Sequence, residues 1–382
     1  MKKVKVLFRH RSMEMGGVQK VLLDLLNNLD RNKFEIALLL NLNQGILLKD
    51  IPKDIHLSFL AEGKDNFSKN IFINKIQLGF RKLKLNVFNE FPNFTKSKIP
   101  FVPDIEIGLF HYDLEGLINS PYKKSKKICW LHSNMTVLSD YFDGNKLISL
   151  YKKCDLSVHV SQDTLDDAFK FSKGTLTNGI VIHNAFNIND IINKVEQEKV
   201  NLDDKYPTFV SVGRIGKQKG YDMLYEAHKL LLTENIYHTI YIIGQGLDYN
   251  TFKEKIESEG YNKSFILLGQ KENPFPYILA ADFYVQSSRY EAYPLSIGEA
   301  LILKKVIVST DVGGIREMIR NRVNGILTES SIDGIYNGMK NLLSNTELVI
   351  EIQNNLKNMD KHFDSKKIFS QVENTLLGVI KK

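Results

Sequence analysis

Two glutamates, Glu291 and Glu299, stand with seven residues between them and offer carboxylates that accept hydrogen bonds from sugar hydroxyls. Glu291 is expected in a loop after a strand, and Pro294 is typical of the first turn of a helix that carries Glu299. The N–H groups of Leu295 and Ser296 would then lie at the positive end of that helix, where phosphate binds. The alternative is a charge pair at a helix start, satisfied by the helix dipole.

Three cations, Arg214, Lys217 and Lys219, follow a predicted strand within nine residues, 212–220. This places them in a loop beyond the carboxyl end of the strand, where open α/β sheets bind ligands. Arg offers a planar fork to phosphate oxygens and Lys a point charge, so together they can neutralise a nucleoside diphosphate without a metal ion. The alternative is a solvated surface turn, which the position at the ligand-binding edge disfavours.

Gly16 and Gly17 open a predicted helix after the first strand, and paired glycines there let backbone N–H groups approach an anion. The dinucleotide fingerprint G-x-G-x-x-G is not present in this loop, which disfavours an NAD enzyme. A tight turn between strand and helix is the alternative interpretation.

The composition is that of an ordinary globular protein of 382 residues, with 43% hydrophobic and 25% charged residues, and excludes wholesale disorder and collagen. The longest apolar runs, such as 36–40, are about five residues, so no transmembrane helix is expected. Cys129 and Cys154 cannot form a disulfide framework or a four-ligand zinc site, and a reducing cytoplasm is the expected location.

Apolar periodicity alternates between strands and helices along the whole chain and predicts an α/β protein with two doubly wound, Rossmann-like domains, 1–188 and 205–364. The segment between them is charged, and Pro207 precedes a fresh strand. The tail, 365–382, carries an apolar helical face that must dock on a domain. Strands are predicted at 4–8, 34–40, 105–109, 127–130, 156–160, 181–182, 208–212, 240–243, 265–268, 283–286, 306–309 and 325–328, and helices at 18–29, 221–232, 295–303, 315–319 and 332–343.

Taken together, these segments resemble the family-4 retaining glycosyltransferases of the GT-B fold, of the type found in bacterial polysaccharide biosynthesis. The matching pieces span both predicted domains in the family's order. They are Gly16-Gly17-Val18-Gln19-Lys20-Val21, Val212-Gly213-Arg214, Lys219-Gly220, Ile243-Gly244-Gln245-Gly246, Asn273-Pro274-Phe275-Pro276-Tyr277, the two spaced glutamates and Asp311-Val312-Gly313-Gly314.

The resemblance implies two Rossmann-like domains facing a cleft, a nucleotide-sugar donor held mainly by the C-terminal domain and an acceptor held by the N-terminal domain. It implies transfer with retention at the anomeric carbon and neither a metal ion nor a cofactor. Arg214 and Lys219 match the family's diphosphate-binding pair, Glu299 its ribose-binding glutamate and Glu291 the glutamate near the donor sugar. The tail helix, 365–382, would pack back on the N-terminal domain.

Further site residues follow from the same resemblance. Gly16 and Gly17 match the N-terminal loop that meets the donor phosphates, and Gly244 matches a donor-binding position. His132 stands where family members often carry a histidine facing the donor sugar, where it would supply hydrogen bonding and charge support. The alternative is a histidine at a strand end that packs beside Trp130.

The stretch 69–98 contains seven basic side chains against the single acid Glu90 and accounts for much of the net charge of +7. Five of its apolar residues share one helical face, at positions Phe72, Ile76, Phe80, Leu83 and Val87. A cationic amphipathic helix can lie on an anionic membrane, and a core-packing helix with a solvated basic face is the alternative. Without a recognisable reader fold, nucleic-acid binding is not expected.

The function predicted from the sequence is a retaining, metal-independent hexosyltransferase. It would move a sugar from a nucleoside-diphosphate donor, with UDP favoured, to a glycan or lipid-linked acceptor in surface polysaccharide synthesis. The expected location is the cytoplasm, with peripheral attachment to the inner face of the membrane. The first alternative is a catalytically silent GT-B subunit that binds glycan or a partner glycosyltransferase, and the second is another GT-B reaction, such as an epimerase or a phosphorylase.

Overall fold

The computed structural model describes residues 2–203, 205–357 and 363–381. The chain divides into two compact units, which we call unit 1 (Met1–Ala185 with Ser365–Lys382) and unit 2 (Phe186–Asp364). Each unit is built on one sheet in which all neighbouring strands run parallel. Because parallel sheets are covered by helices on both faces, their central strands are almost continuously apolar.

Unit 1 contains a seven-stranded sheet with the order β3-β2-β1-β4-β5-β6-β7. Its strands are β1 (Val4–His10), β2 (Phe34–Asn43), β3 (His56–Glu62), β4 (Ile105–Gly108), β5 (Lys126–Leu131), β6 (Leu156–His159) and β7 (Gly179–Val181). Its first six helices are α1 (Gly17–Asn28), α2 (Ile71–Glu90), α3 (Leu114–Ile118), α4 (Met135–Ser139), α5 (Gly144–Tyr151) and α6 (Gln162–Phe171). The order reverses between β1 and β4, which makes this pair the switch point of the sheet.

Unit 2 contains a six-stranded sheet with the order β10-β9-β8-β11-β12-β13. Its strands are β8 (Thr208–Val212), β9 (Thr239–Ile243), β10 (Phe265–Gly269), β11 (Phe283–Gln286), β12 (Val306–Thr310) and β13 (Ile326–Thr328). Its helices are α7 (Ile188–Glu196), α8 (Tyr221–Thr233), α9 (Tyr249–Ser258), α10 (Phe275–Ala280), α11 (Leu295–Ile302), α12 (Ile332–Ser344) and α13 (Thr346–Lys357). Here the switch point lies between β8 and β11.

The predicted α/β class with two doubly wound sheets is confirmed, and each of the twelve predicted strands overlaps a strand of the structure. The sequence pattern does not predict β3, an edge strand that pairs only with β2. Its apolar run is interrupted by Ser58, since an edge strand is covered less completely than a central one. The helix predicted at 315–319 is instead a short 3-10 helix, Gly313–Glu317.

The division between the units lies after Ala185, and the charged segment predicted as a link belongs to unit 2. It contains α7, in which Ile191 is buried and Ile188 and Val195 pack against the core of unit 2. These three residues recur at helical spacing, but the charged residues between them dilute the apolar signal.

The tail forms helix α14 (Ser365–Lys381), which lies in unit 1. The Glu373 carboxylate accepts hydrogen bonds from the Asp30 backbone N–H at 2.9 Å and from Lys33 Nζ at 2.7 Å. Gln371 donates to the Val181 carbonyl at 2.9 Å. No helix within the described part of the chain combines the length and the apolar character that crossing a bilayer requires.

A buried ionic network joins the three central strands of unit 1. The carboxylate of Glu106 on β4 accepts from Arg9 Nε on β1 at 2.8 Å and from Lys127 Nζ on β5. Ser120 and Ser125 also donate to it, at 2.8 and 2.6 Å. Burial by itself would raise the pKa of Glu106, but the charges of Arg9 and Lys127 outweigh burial and lower it. The carboxylate is therefore ionised and fully paired.

Glu106→Gln is expected to destabilise unit 1 by about 3–5 kcal/mol, because it leaves two buried cations without their anion. The control is Glu35→Gln on β2, whose carboxylate is about half exposed and lies 3.9 Å from Lys5 Nζ. This control should change the free energy of unfolding by less than about 1 kcal/mol. Urea unfolding of both variants measures the difference, and equal midpoints would contradict the assigned role of the network.

Candidate functional site

The switch point of unit 2 brings together the loops that follow β8 and β11. These strands pair in parallel, with Phe209 opposite Phe283, so both loops leave the same edge of the sheet. As a result, Lys219 of the first loop and Glu291 of the second form a salt bridge, with 2.7 Å between Nζ and Oε1. The sequence predicted both residues for one site but not their direct contact.

The Glu291 carboxylate is held by three donors, all of which bind the same oxygen. Oε1 accepts from Lys219 Nζ at 2.7 Å, from Gln286 Nε2 at 2.8 Å and from Ser288 Oγ at 2.7 Å. Among the described residues, no side chain donates to the second oxygen, Oε2. Because Glu291 is largely buried, its side chain has a fixed orientation with one oxygen open to a further partner.

Several hydrogen bonds tie the two loops to each other. The Arg289 backbone N–H donates to the Gln218 carbonyl at 2.8 Å, and Ser287 Oγ donates to the Lys219 carbonyl at 2.8 Å. The Arg289 guanidinium also forms a bidentate pair with Asp222, at 2.7 and 2.6 Å. Arg–carboxylate pairs of this geometry fix both partners. The two loops that carry Lys219 and Glu291 are therefore held in place by several hydrogen bonds.

The other two predicted cations of the first loop take no part in this salt bridge. Arg214 and Lys217 are exposed, and within the described residues neither side chain has an ion-pair partner. The guanidinium of Arg214 is therefore available to an anion at the carboxyl edge of the sheet.

Glycines allow the backbone to pack closely at this edge. Gly244 has φ +154°, and a Cβ there would lie 2.0 Å from the Gly213 carbonyl oxygen. Gly220 has φ +63°, and a Cβ there would lie 2.0 Å from the Ser287 carbonyl oxygen. Side chains at either position would push the cationic loop away from its neighbours. Gly244 thus has a structural reason to be glycine, in addition to its predicted donor-binding role.

Helix α11 begins beside the second loop. Its N-cap residue is Pro294, which provides no side-chain hydrogen bond, so Leu295 and Ser296 start a helix whose first N–H groups lack a side-chain cap. Glu299 is buried in the second turn. Burial raises the pKa of the Tyr284 phenol, and the nearby carboxylate of Glu299 adds to this shift, so the phenol stays protonated.

In unit 1 the predicted glycines lie where the sequence placed them. Gly16 is the N-cap of α1 with an extended backbone, and Gly17 is the first helical residue. A Cβ on Gly16 would meet only the flexible side chain of Gln19, 2.4 Å from Oε1. No side chain caps this helix start.

His132 follows β5 and is half-buried, with its Nε2 atom fully covered. Within the part of the chain that the structure describes, this nitrogen has no hydrogen-bond partner. Burial, with a smaller contribution from the charge of His10, lowers the pKa of His132 to about 3. The imidazole is therefore neutral at physiological pH.

The switch point of unit 1 carries a further polar pair that the sequence analysis did not single out. His10 at the end of β1 lies 3.1 Å from Asp113 after β4, measured from Nδ1 to Oδ2, and both side chains are buried. Burial raises the pKa of Asp113, against the lowering effect of His10. A histidine at the carboxyl end of the first strand is the signal that would have revealed this pair.

The predicted residues thus fall at the carboxyl edges of two sheets, one in each unit. In unit 2 these are Arg214, Lys219, Gly244, Glu291, Leu295, Ser296 and Glu299, and in unit 1 they are Gly16, Gly17 and His132. The sequence analysis missed Gln286, Ser288, His10 and Asp113. Over residues 2–203, 205–357 and 363–381, no three His, Cys, Asp or Glu side chains are grouped so as to hold a metal ion.

Sequence comparison finds a matching family model and a relative that aligns over nearly the whole chain. Residues 192–359 match the family described as Glycosyl transferases group 1. Over 377 residues the chain is 27% identical to the N-acetylgalactosamine-N,N'-diacetylbacillosaminyl-diphospho-undecaprenol 4-alpha-N-acetylgalactosaminyltransferase of Campylobacter jejuni, covering 96% of this chain and 98% of that protein.

Solved structures resemble the chain over its whole length. The Anabaena protein HepE in complex with UDP-glucose is 20% identical with a TM-score of 0.74, covering 98% of this chain and 99% of HepE. TarM, known from Staphylococcus aureus, is 14% identical with a TM-score of 0.76, covering 100% of this chain and 99% of TarM. These likenesses confirm the predicted fold class, GT-B.

Because the pKa of His132 is lowered to about 3, we expect its imidazole to stay neutral from pH 8 down to about pH 5. An ordinary histidine would take up a proton near pH 6.5. Because the neutral form is favoured only in the folded protein, the free energy of unfolding decreases as the pH falls from about 6.5 towards 3. Histidine NMR spectra recorded with pH test this, with the His132 signal assigned by its loss in His132→Gln. A midpoint near pH 6.5 would refute the prediction.

Proposed function

We propose that the chain is a group 1 glycosyltransferase, and specifically a retaining, metal-independent enzyme of family 4; the family match over residues 192–359 and the GT-B fold support this. It transfers a hexose-type sugar from a UDP-sugar donor to a glycan or lipid-linked acceptor in surface polysaccharide synthesis. The observation that carries the proposal is the Lys219–Glu291 pair at the carboxyl edge of the sheet in unit 2, with an exposed Arg214 in the same loop as Lys219.

The departing diphosphate is the first group that unit 2 binds in this proposal. Lys219 donates to Glu291 and, among the described residues, has no other side-chain acceptor, so its remaining N–H groups can bind phosphate oxygens. Arg214 supplies a second cation, and the first N–H groups of α11, at Leu295 and Ser296, supply neutral donors. Together they stabilise the negative charge that develops on the leaving group.

The two glutamates bind the sugar parts of the donor. Glu291 accepts its three protein donors at Oε1, and the second oxygen, Oε2, accepts from hydroxyls of the transferred sugar. Glu299, one turn into α11, accepts from the ribose hydroxyls. Since Gln286 and Ser288 fix the orientation of Glu291, we assign them as positioning residues.

Unit 1 holds the acceptor, and its own candidate substrate-binding residues are Gly16, Gly17 and His132. The backbone N–H groups at the start of α1 bind a donor phosphate. A neutral His132 acts as a hydrogen-bonding partner at the reacting sugar rather than as a cation. The acceptor hydroxyl attacks the anomeric carbon on the face from which the diphosphate leaves, so the configuration is retained.

The relatives support the choice of donor and acceptor. The Campylobacter jejuni relative is named for transfer to a saccharide on diphospho-undecaprenol, a lipid-linked acceptor. The Anabaena relative was crystallised with UDP-glucose. A lipid-linked acceptor would place the enzyme at the inner face of the membrane, as a peripheral protein.

A nucleotide panel tests the donor proposal. UDP and one UDP-sugar are expected to raise the melting temperature of the protein. That UDP-sugar should also be hydrolysed slowly, at the same rate with and without EDTA, because the cations of unit 2 take the place of a metal ion. GDP and ADP serve as controls. Stabilisation without any hydrolysis or transfer would favour the silent-subunit alternative, and no response to any nucleotide would reject the donor site.

Glu291→Ala is expected to lower the rate of sugar transfer at least about 100-fold, since it removes an acceptor fixed towards the donor sugar. Glu291→Gln keeps the size of the side chain and separates loss of charge from loss of packing. The matched control is Glu254→Ala on α9, an exposed carboxylate without a described partner. Near-normal turnover in a correctly folded Glu291→Ala protein would show that the residue does not serve the reaction.

A further inference from the structure

We propose that Asp163 and Asp167 of helix α6 are positioning residues for sugar transfer, because they anchor the chain directly after His132 and thereby hold its imidazole in place. This inference rests on the proposed function, in which His132 contacts the reacting sugar. Both carboxylates act through His132 rather than by touching substrate.

His132 lies in a three-residue link, 132–134, between a strand and a helix. Strand β5 ends at Leu131, which pairs with His159 of β6, and α4 begins at Met135. Within the described residues, no hydrogen bond holds the Nε2 atom of His132. The direction of its ring therefore depends on how firmly the backbone is fixed on both sides of the link. A displacement of roughly 1 Å is enough to impair a residue of a reacting site.

Helix α4 is too short to secure its own start. It has five residues, and isolated helices of this length do not form in water. Its N-cap residue, Asn134, provides no side-chain cap among the residues that the structure describes. Instead the Asn134 side chain reaches the neighbouring helix, where Nδ2 donates to Asp163 Oδ2 at 2.8 Å. This bond fixes the chain two residues after His132.

Asp167 supplies the missing cap from α6. Its Oδ2 atom accepts from the Thr136 backbone N–H at 3.1 Å, and its Oδ1 atom accepts from Thr136 Oγ1. Thr136 is the second residue of α4, so this N–H is one of those that a helix leaves without an internal partner. A negative charge at a helix start is also stabilised by the helix dipole. The two contacts fix the start of α4 against α6.

Helix α6 is a firm support for these contacts. Its N-cap, Ser161, forms a capping box with Thr164, in which each side-chain oxygen accepts from the backbone N–H of the other residue at 3.2 Å. Both residues are buried. Ala168 of α6 lies in one buried apolar cluster with Met135 and Leu138 of α4. The contact between the two helices therefore combines apolar packing with two hydrogen-bonded carboxylates.

A third carboxylate of α6 has a different environment and provides a matched control. Asp163 and Asp167 stand four residues apart, which places them on one face of the helix. Asp166 is exposed, and its Oδ1 atom accepts from Gln162 Nε2 of the same helix at 2.8 Å. In the described part of the chain, no hydrogen bond joins Asp166 to α4. Asp166→Ala thus removes the same charge from α6 without releasing the link.

Turnover of a UDP-sugar measures the role of the two carboxylates. The probes are UDP-glucose, UDP-galactose and their N-acetylated forms, and the one that the unmodified protein hydrolyses or transfers is used throughout. We expect Asp167→Ala to lower kcat at least about 10-fold, and Asp163→Ala to lower it in the same direction, because a displaced site residue slows the reaction. The donor KM should change less than about twofold, since the donor is held mainly by unit 2. Asp166→Ala should keep a normal kcat.

A conservative variant tests the capping contact itself. Asp167→Asn keeps an oxygen that can accept from the Thr136 N–H, so it should recover at least about half of the normal kcat. Melting temperatures verify the folding of each variant. If Asp167→Ala does not fold, Asp163→Ala, which leaves the cap of α4 intact, decides the outcome by the same criteria.

Combination with His132→Gln separates a positioning role from a general structural one. If Asp167 acts through His132, adding Asp167→Ala should slow the His132→Gln protein by less than about twofold, because residues that act as a unit have non-additive effects. Two losses that multiply would overturn the proposal. In histidine NMR spectra the His132 signal should move in Asp167→Ala and stay in place in Asp166→Ala.

The outcomes separate this inference from the proposed function. Turnover by the unmodified protein, with equal kcat for Asp167→Ala and Asp166→Ala, would overturn the positioning role alone. An unchanged His132 signal in a folded Asp167→Ala protein would do the same. No turnover of any UDP-sugar by the unmodified protein would reject the proposed function and, with it, this role in transfer.

Discussion

The salt bridge between Lys219 and Glu291 depends on the adjacency of β8 and β11, and most of the proposed chemistry depends on that salt bridge. Two loops that are 72 residues apart in sequence meet because parallel strands release their following loops at one edge of the sheet. The bonds from Gln286 and Ser288 then fix which carboxylate oxygen of Glu291 faces the protein and which remains open.

Unit 1 uses the same topology with different side chains. The pair His10–Asp113 lies at the switch point of its sheet, while the buried network around Glu106 joins the central strands. The carboxyl edge therefore carries histidines and a carboxylate, and the amino edge carries lysines and an apolar cavity. Two edges of one sheet thus present different chemistry.

Helix α2 is an exception to the rule that the apolar face of a helix packs against a core. Its apolar face, formed by Phe72, Ile76, Phe80, Leu83 and Val87, is exposed to solvent, and exposed apolar clusters promote association.

The sequence by itself determined the α/β class, nearly all the strands and the residue types at the carboxyl edges, because apolar periodicity and short motifs such as Pro294-Leu295-Ser296 are local properties. Only the tertiary structure decided that Lys219 contacts Glu291, that Gln286 and Ser288 position it, and that His10 pairs with Asp113, because these contacts join segments brought together by strand order. It also decided that the apolar face of α2 is exposed to solvent. Periodicity shows that a helix has an apolar side, and only packing shows what covers that side.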